Sequence, residues 1–189
     1  SVIENLGNGK FAIKALPLEA QLAPIYGILP KDVNHDGLMD LLLVGNDHGM
    51  EVLQGRADAF NGLVLLNQDG NFKPLSLLES NFTVPGAGIA LVEILGKDQK
   101  RITLASQNRG ALLAFTDSTN QNSRPIILAD NEVKAKLYLD ENTFRVVESF
   151  WGSTFMSQGS RVIWASDQIN KVEVLNTKGE ITRTISPSL

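Results

Sequence analysis

The residues best equipped for chemistry are the oxygen-bearing side chains of Asp32-Val33-Asn34-His35-Asp36-Gly37-Leu38-Met39-Asp40. Asp32, Asn34, Asp36 and Asp40 occupy positions 1, 3, 5 and 9 of this stretch, with glycine at position 6. Calcium is a hard cation that takes about six to eight oxygens, and a tight loop aims alternate side chains inward. Gly37 permits the sharp turn after Asp36. The Leu38 carbonyl can add a main-chain oxygen, and three carboxylates together offset the charge of the ion. The stretch is no EF-hand, because Leu43 stands at position 12, where a bidentate glutamate belongs. The competing reading is that the aspartates and the asparagine form Asx turns around a glycine and bind nothing. His35 and Met39 fall between ligand positions and are assigned no role.

A second polar segment follows directly. Asn46, Asp47, His48, Glu51, Arg56 and Asp58 lie beyond the apolar run Leu41–Val44, and loops past strand ends are where ligand surfaces are commonly built. Asp47, Glu51 and Asp58 are also the candidates for a glycosidase-type carboxylate pair, with His48 available for acid–base work. The plainer alternative is an ordered loop whose Arg56 pairs with a carboxylate. In the C-terminal half, Phe150, Trp151, Phe155 and Trp164 concentrate aromatic area, either as core or as a surface for sugar rings or a protein partner. Ser153, Ser157 and Gln158 could hydrogen-bond a ligand there, or serve as ordinary turn residues. Other chemistry is thinly supplied. There is no cysteine, which excludes disulfides and thiolate sites. Two histidines and no nucleophile elbow leave little for a serine triad. The glycine-rich spot Pro85-Gly86-Ala87-Gly88 lacks the lysine of a phosphate-binding loop.

The elements that must position these residues are short. Runs rich in Val, Ile, Leu and Phe, bounded by turn residues, predict strands near 11–16, 26–30, 41–44, 63–67, 72–75, 89–94, 101–106, 112–115, 126–128, 133–139, 144–150, 161–165, 171–175 and 181–185. Asp69-Gly70-Asn71 and Lys178-Gly179 read as hairpin turns, each with a glycine for positive φ. No stretch of ten residues holds a capped 3.6-residue period, although a helical turn is allowed near 21–26 or within 46–61. The expectation is an all-β chain. Its 17 basic and 21 acidic side chains give a net charge of −4, and the basic ones form no stripe, which argues against nucleic acid as a partner. No run approaches the ~18 apolar residues of a membrane span. The polar segment Thr116–Arg124 marks the expected boundary between residues 1–116 and 125–189.

Two family resemblances accompany these patterns. Asp32–Asp40 followed by Leu41–Gly45 resembles the D-x-(D/N)-x-D-G-x-x-D loop and strand of FG-GAP/VCBS repeats, and Gly62–Phe72 resembles the second half of such a repeat, ending in an N-x-x-G-x-F turn. Glu148–Ser160 resembles the E-x-x-x-G-S-x-(Y/F)-(L/M)-S-Q-x-S signature of ASPIC/UnbV segments. Val162-Ile163-Trp164-Ala165 replaces the H-F-G-L that usually follows, and Asn176-Thr177-Lys178-Gly179 the W-P-D-G turn. These resemblances imply partial propeller-type blades of the integrin-α kind over residues 1–116, then a small β-sandwich-like unit. They imply calcium at Asp32, Asn34, Asp36, Leu38 and Asp40. They also imply an exported bacterial protein at the outer-membrane surface, in the periplasm or outside the cell. Two or three blades cannot close a ring, so either the expected neighbours are further blades of a longer chain or the strands pack as a sandwich-like open stack. The function expected is non-catalytic binding of a glycan or protein. A glycan-active hydrolase and an architectural spacer are the alternatives.

Overall fold

The computed structural model describes residues 1–186 except 52, 54, 118–122 and 153–156. Short strands dominate because the apolar runs are four to eight residues long and are broken by glycine and asparagine, so no run can wrap a helical face. The chain is all-β, and its β1–β2, β3–β4–β5–β6, β10–β13 and β12–β11–β14–β15 pairings are antiparallel. No helix among the described residues is long and apolar enough to cross a membrane. Two compact units are formed: residues 1–91 with 105–113, and residues 92–104 with 114–189. The second unit thus takes in 92–104 and 114–116 from the stretch assigned above to the blades.

In the first unit, β1 (Val2–Gly7) and β2 (Lys10–Lys14) form a separate hairpin. The strands β3 (Ile25–Lys31), β4 (Asp40–Gly45), β5 (Leu63–Gln68) and β6 (Asn71–Pro74) follow as a four-stranded sheet whose spatial order is its sequence order. Its register puts Leu41 opposite Leu65 and Leu43 opposite Leu63 on one face, where Ala20, Phe60, Ile25 and Phe72 join them in a core. The opposite face is buried as well. Leu42 and Val44 lie there, and β-carbons added at Gly27 and Gly88 would come within 2.7 Å of the Val44 side chain. A strand covered on both faces is apolar without alternation, which is why 41–44 reads as a continuous run. The β5–β6 turn has Asp69 at φ 51° and Gly70 at φ 84°, the paired positive values of a type I′ hairpin.

The chain continues through a single α-helical turn, α1 (Leu77–Ser80), and the three-stranded sheet β7 (Gly88–Leu95), β8 (Arg101–Gln107) and β9 (Leu113–Thr116). In the second unit β10 (Arg124–Ile127) pairs with β13 (Val162–Ala165), and a four-stranded sheet runs in the order β12 (Phe144–Glu148), β11 (Glu132–Tyr138), β14 (Lys171–Asn176), β15 (Ile181–Ile185). Both sheets feed one core. Ile126 and Leu128, Ile163 and Ala165, Ala135 and Leu137, and Val172 and Val174 share it with Ile169. Here the alternation is plain, because each sheet buries one face only.

Candidate functional site

The 32–40 loop joins β3 to β4 and is organised by its own side chains. His35 at φ 62° and Gly37 at φ 89° turn the chain twice through the left-handed region. Asp36 Oδ1 accepts from the Leu38 N–H at 2.8 Å, and Asn34 Oδ1 from the Asp36 N–H at 3.3 Å. Asn34 Nδ2 donates to Asp36 Oδ2 at 2.9 Å. Asn34 and Asp36 are exposed and hold each other, whereas Asp32 and Asp40 are buried, at 6% and 0% exposure.

Asp40 fixes the loop to the sheet. Its Oδ2 accepts from the Val33 N–H at 2.7 Å and its Oδ1 from the Asn67 N–H at 2.8 Å, while Asn67 Nδ2 donates to the Met39 carbonyl at 3.1 Å. Asn67 was not anticipated as part of this arrangement. The N-x-x-G-x-F pattern that contains it was the available signal, and its Oδ1 also accepts from the Gly70 N–H of the hairpin turn. Burial pushes the Asp40 carboxyl above the usual aspartate value. The Asn67 and Val33 N–H groups pull it back, and the negative charges of Asp36 and Asp32 add to the rise.

The donor set suits a hard cation, since every candidate group offers oxygen. One atom lacks a partner. Asp32 Oδ2 accepts from the Gly37 N–H at 3.1 Å, but Asp32 Oδ1 is buried and accepts no hydrogen bond. A buried carboxylate oxygen without a donor is costly unless something positive meets it. The Asp40 carboxylate is turned to main-chain N–H groups, and that of Asp36 to the Leu38 N–H and the Asn34 side-chain amide. Among the described residues, no three Asp, Glu or His side chains converge on a common point. The residues that would hold calcium are Asp32, Asn34, Asp36, the Leu38 carbonyl and Asp40, with Asp36 and Asn34 released from each other to do so. The charge supplied by the ion would offset the mutual repulsion of the three carboxylates.

The second polar segment divides. Asn46 is no surface residue: it is fully buried at φ 84°. Its Nδ2 donates to the Phe60 and Gly86 carbonyls and its Oδ1 accepts from the Phe60 N–H. The proposed ligand role for Asn46 is therefore replaced by a scaffold role, because both ends of its amide are consumed by main chain. Asp47 pairs backbone to backbone with Ala57. Its Oδ2 accepts from the Tyr26 hydroxyl at 3.1 Å and its Oδ1 from the Gly49 N–H at 2.7 Å. His48, Glu51, Arg56 and Asp58 are exposed on the same segment.

Of the aromatic residues, Phe150 and Trp151 are 66% and 54% exposed. The Arg161 guanidinium carbon lies 4.3 Å from the centre of the Trp151 ring, and that of Arg101 5.3 Å from Trp164. Ser157 is half-buried and Gln158 exposed, while Ser153 and Phe155 lie outside the described residues. Compared with known proteins, the chain matches no family model, no curated protein and no solved structure.

Proposed function

We propose that this chain is a non-catalytic, calcium-stabilised binding module of the FG-GAP/VCBS type with an ASPIC/UnbV-like C-terminal segment. It would act as part of a larger exported protein that binds a glycan or protein. The observation that carries the calcium reading is Asp32 Oδ1, buried without a donor in a loop whose Asp40 feels the negative charges of Asp36 and Asp32. A calcium ion gives that oxygen its missing partner. Support for the repeat type comes from the β3–β4–β5–β6 meander, with the acidic loop at the entrance to β4 and the N-x-x-G-x-F turn between β5 and β6. The ion's role is structural. It locks the loop and, through Asp40 and Asn67, the ends of β4 and β5.

The test is a thermal melt in calcium and in chelator. A ligand that binds only the native state at about tenfold its dissociation constant contributes about 1.4 kcal/mol. For a chain of this size that raises the midpoint by roughly 3–6 °C. Asp36→Ala is expected to abolish the calcium response while changing the chelator midpoint little, since Asp36 is exposed. Equal midpoints in calcium and chelator for the parent chain refute the site.

A further inference from the structure

The second unit holds an open depression of about 570 Å³ at the turn end of β11, lined by Tyr138, Asp140, Glu141, Asn170 and Lys171. We propose that it is a glycan subsite, in which Asp140, Glu141 and Asn170 accept hydrogen bonds from neighbouring hydroxyls of one sugar ring. Its volume lies within the roughly 300–1,000 Å³ of small-molecule sites. The module's ligand would thereby bind through the second unit and not through the 46–58 segment. This deepens the binding role proposed above but is independent of calcium.

Tyr138, Asp140, Asn170 and Lys171 in the walls of the depression are held in place before any ligand arrives. Asp140 Oδ1 accepts from the Asn142 and Thr143 N–H groups at 2.8 and 2.7 Å, and the Thr143 carbonyl accepts from the Leu139 N–H at 2.9 Å. Across the depression, the Asn170 N–H donates to the Tyr138 carbonyl at 2.8 Å and Asn170 Nδ2 to the Leu139 carbonyl. The Tyr138 hydroxyl donates to Glu173 at 2.7 Å. Polar groups fixed in advance lose little freedom on binding, which is what lets a shallow site work.

The ligand class follows from charge and from hydrogen-bond capacity. Asn170 Nδ2 spends one of its two hydrogens on the Leu139 carbonyl, so Asn170 offers its oxygen and one remaining N–H. Glu141 offers two exposed oxygens, and Asp140 retains part of the roughly four lone-pair positions of a carboxylate. The site is therefore rich in acceptors and calls for donors. Lys171 stands in the same depression, with its ammonium 4.1 Å from the centre of the Tyr138 ring and 2.8 Å from Glu173 Oε1. That charge opposes a second cation, while Asp140 and Glu141 oppose an anion. A neutral polyol satisfies both conditions. Adjacent sugar hydroxyls supply paired donors that match a carboxylate, and Lys171 can donate to a ring or hydroxyl oxygen.

The test uses the isotope-labelled full chain and amide chemical shifts, with the methyl glycosides of glucose, galactose and mannose as probes at millimolar concentration. Saturable shifts confined to 138–142 and 170–171 are expected with at least one of them. Glu141→Ala should weaken that binding about fivefold, the worth of one hydrogen bond, with an unchanged thermal midpoint. The proposal is overturned by the absence of shifts with all three glycosides, or by equal binding to Glu141→Ala. It is also overturned if methylguanidine or calcium alone moves these amides where the glycosides do not. Running the titration in calcium and in chelator separates the two proposals. Glycoside shifts with a calcium-insensitive melt leave the subsite standing without the metal, and the reverse result leaves the metal without the subsite.

Discussion

Asn46→Ala is expected to destabilise the first unit by about 4 kcal/mol or more, measured as the shift in urea-induced unfolding followed by circular dichroism. The magnitude comes from what the side chain satisfies. Three main-chain groups depend on it: the Phe60 N–H, the Phe60 carbonyl and the Gly86 carbonyl. Leaving a buried polar group unpaired costs about 1–3 kcal/mol. Alanine would also have to sit at φ 84°, where asparagine is tolerated and other side chains lose roughly 1–2 kcal/mol. Against a total stability of about 5–15 kcal/mol, that is a large fraction. Asn46→Asp provides the control on mechanism. It keeps the acceptor for Phe60 N–H but points a carboxylate at two carbonyl oxygens, so it should be at least as damaging. If either variant unfolds within about 0.5 kcal/mol of the parent, Asn46 is not the tie described here.

The strands β2–β15 were readable because each holds a compact apolar run closed by turn residues, and every run assigned to a strand overlaps one. The β5–β6 turn was readable for the same reason, since Asp-Gly favours a single turn type. The hairpin partner β1 was not. Val2–Gly7 alternates weakly and carries Glu4 and Asn5 in its middle, so only its pairing with β2 makes it a strand. The helical turn α1 did leave a signal in the sequence. Ser76 and Glu79 form a reciprocal capping box, but four residues are too few to show a helical period. The helical turn allowed near 21–26 is instead a 3-10 turn at Leu18–Gln21. Asn46 illustrates the harder limit. An asparagine after a strand reads as loop surface, and its burial depends on Phe60 and Gly86, which lie 14 and 40 residues away. The orphaned oxygen of Asp32 is likewise a fact of three dimensions. The sequence identifies a carboxylate at that position but not which of its two oxygens finds a donor.

A long-range tie of the same kind sets the expected acid response of the second unit. Glu132, 4% exposed, joins the start of β11 to the edge strand β15. Its Oε1 accepts from Arg183 Nε at 3.0 Å and from the Thr182 hydroxyl at 2.7 Å. Its Oε2 accepts from Arg183 Nη2 at 2.9 Å and from the Ala129 N–H at 2.8 Å. Burial works against the charged form of Glu132. The bonds from Ala129, Thr182 and Arg183, with the Arg183 charge, outweigh it and hold the carboxyl below its ordinary value of 4.5. A carboxyl whose value is lower when folded contributes stability that is fully present above pH 4.5 and is lost as pH falls through the folded value. Glu132→Gln should therefore flatten the stability–pH curve below about pH 4.5 and lower the plateau at neutral pH. Arg183 is 42% exposed, so solvent screens part of the ion pair. About 2 kcal/mol is the expected loss, most of it from the buried acceptors that the amide cannot fully replace. The measurement is urea unfolding of both proteins between pH 3 and 7, read as a difference curve. A difference that stays constant across that range would mean that the Glu132 charge does not hold β15 in place.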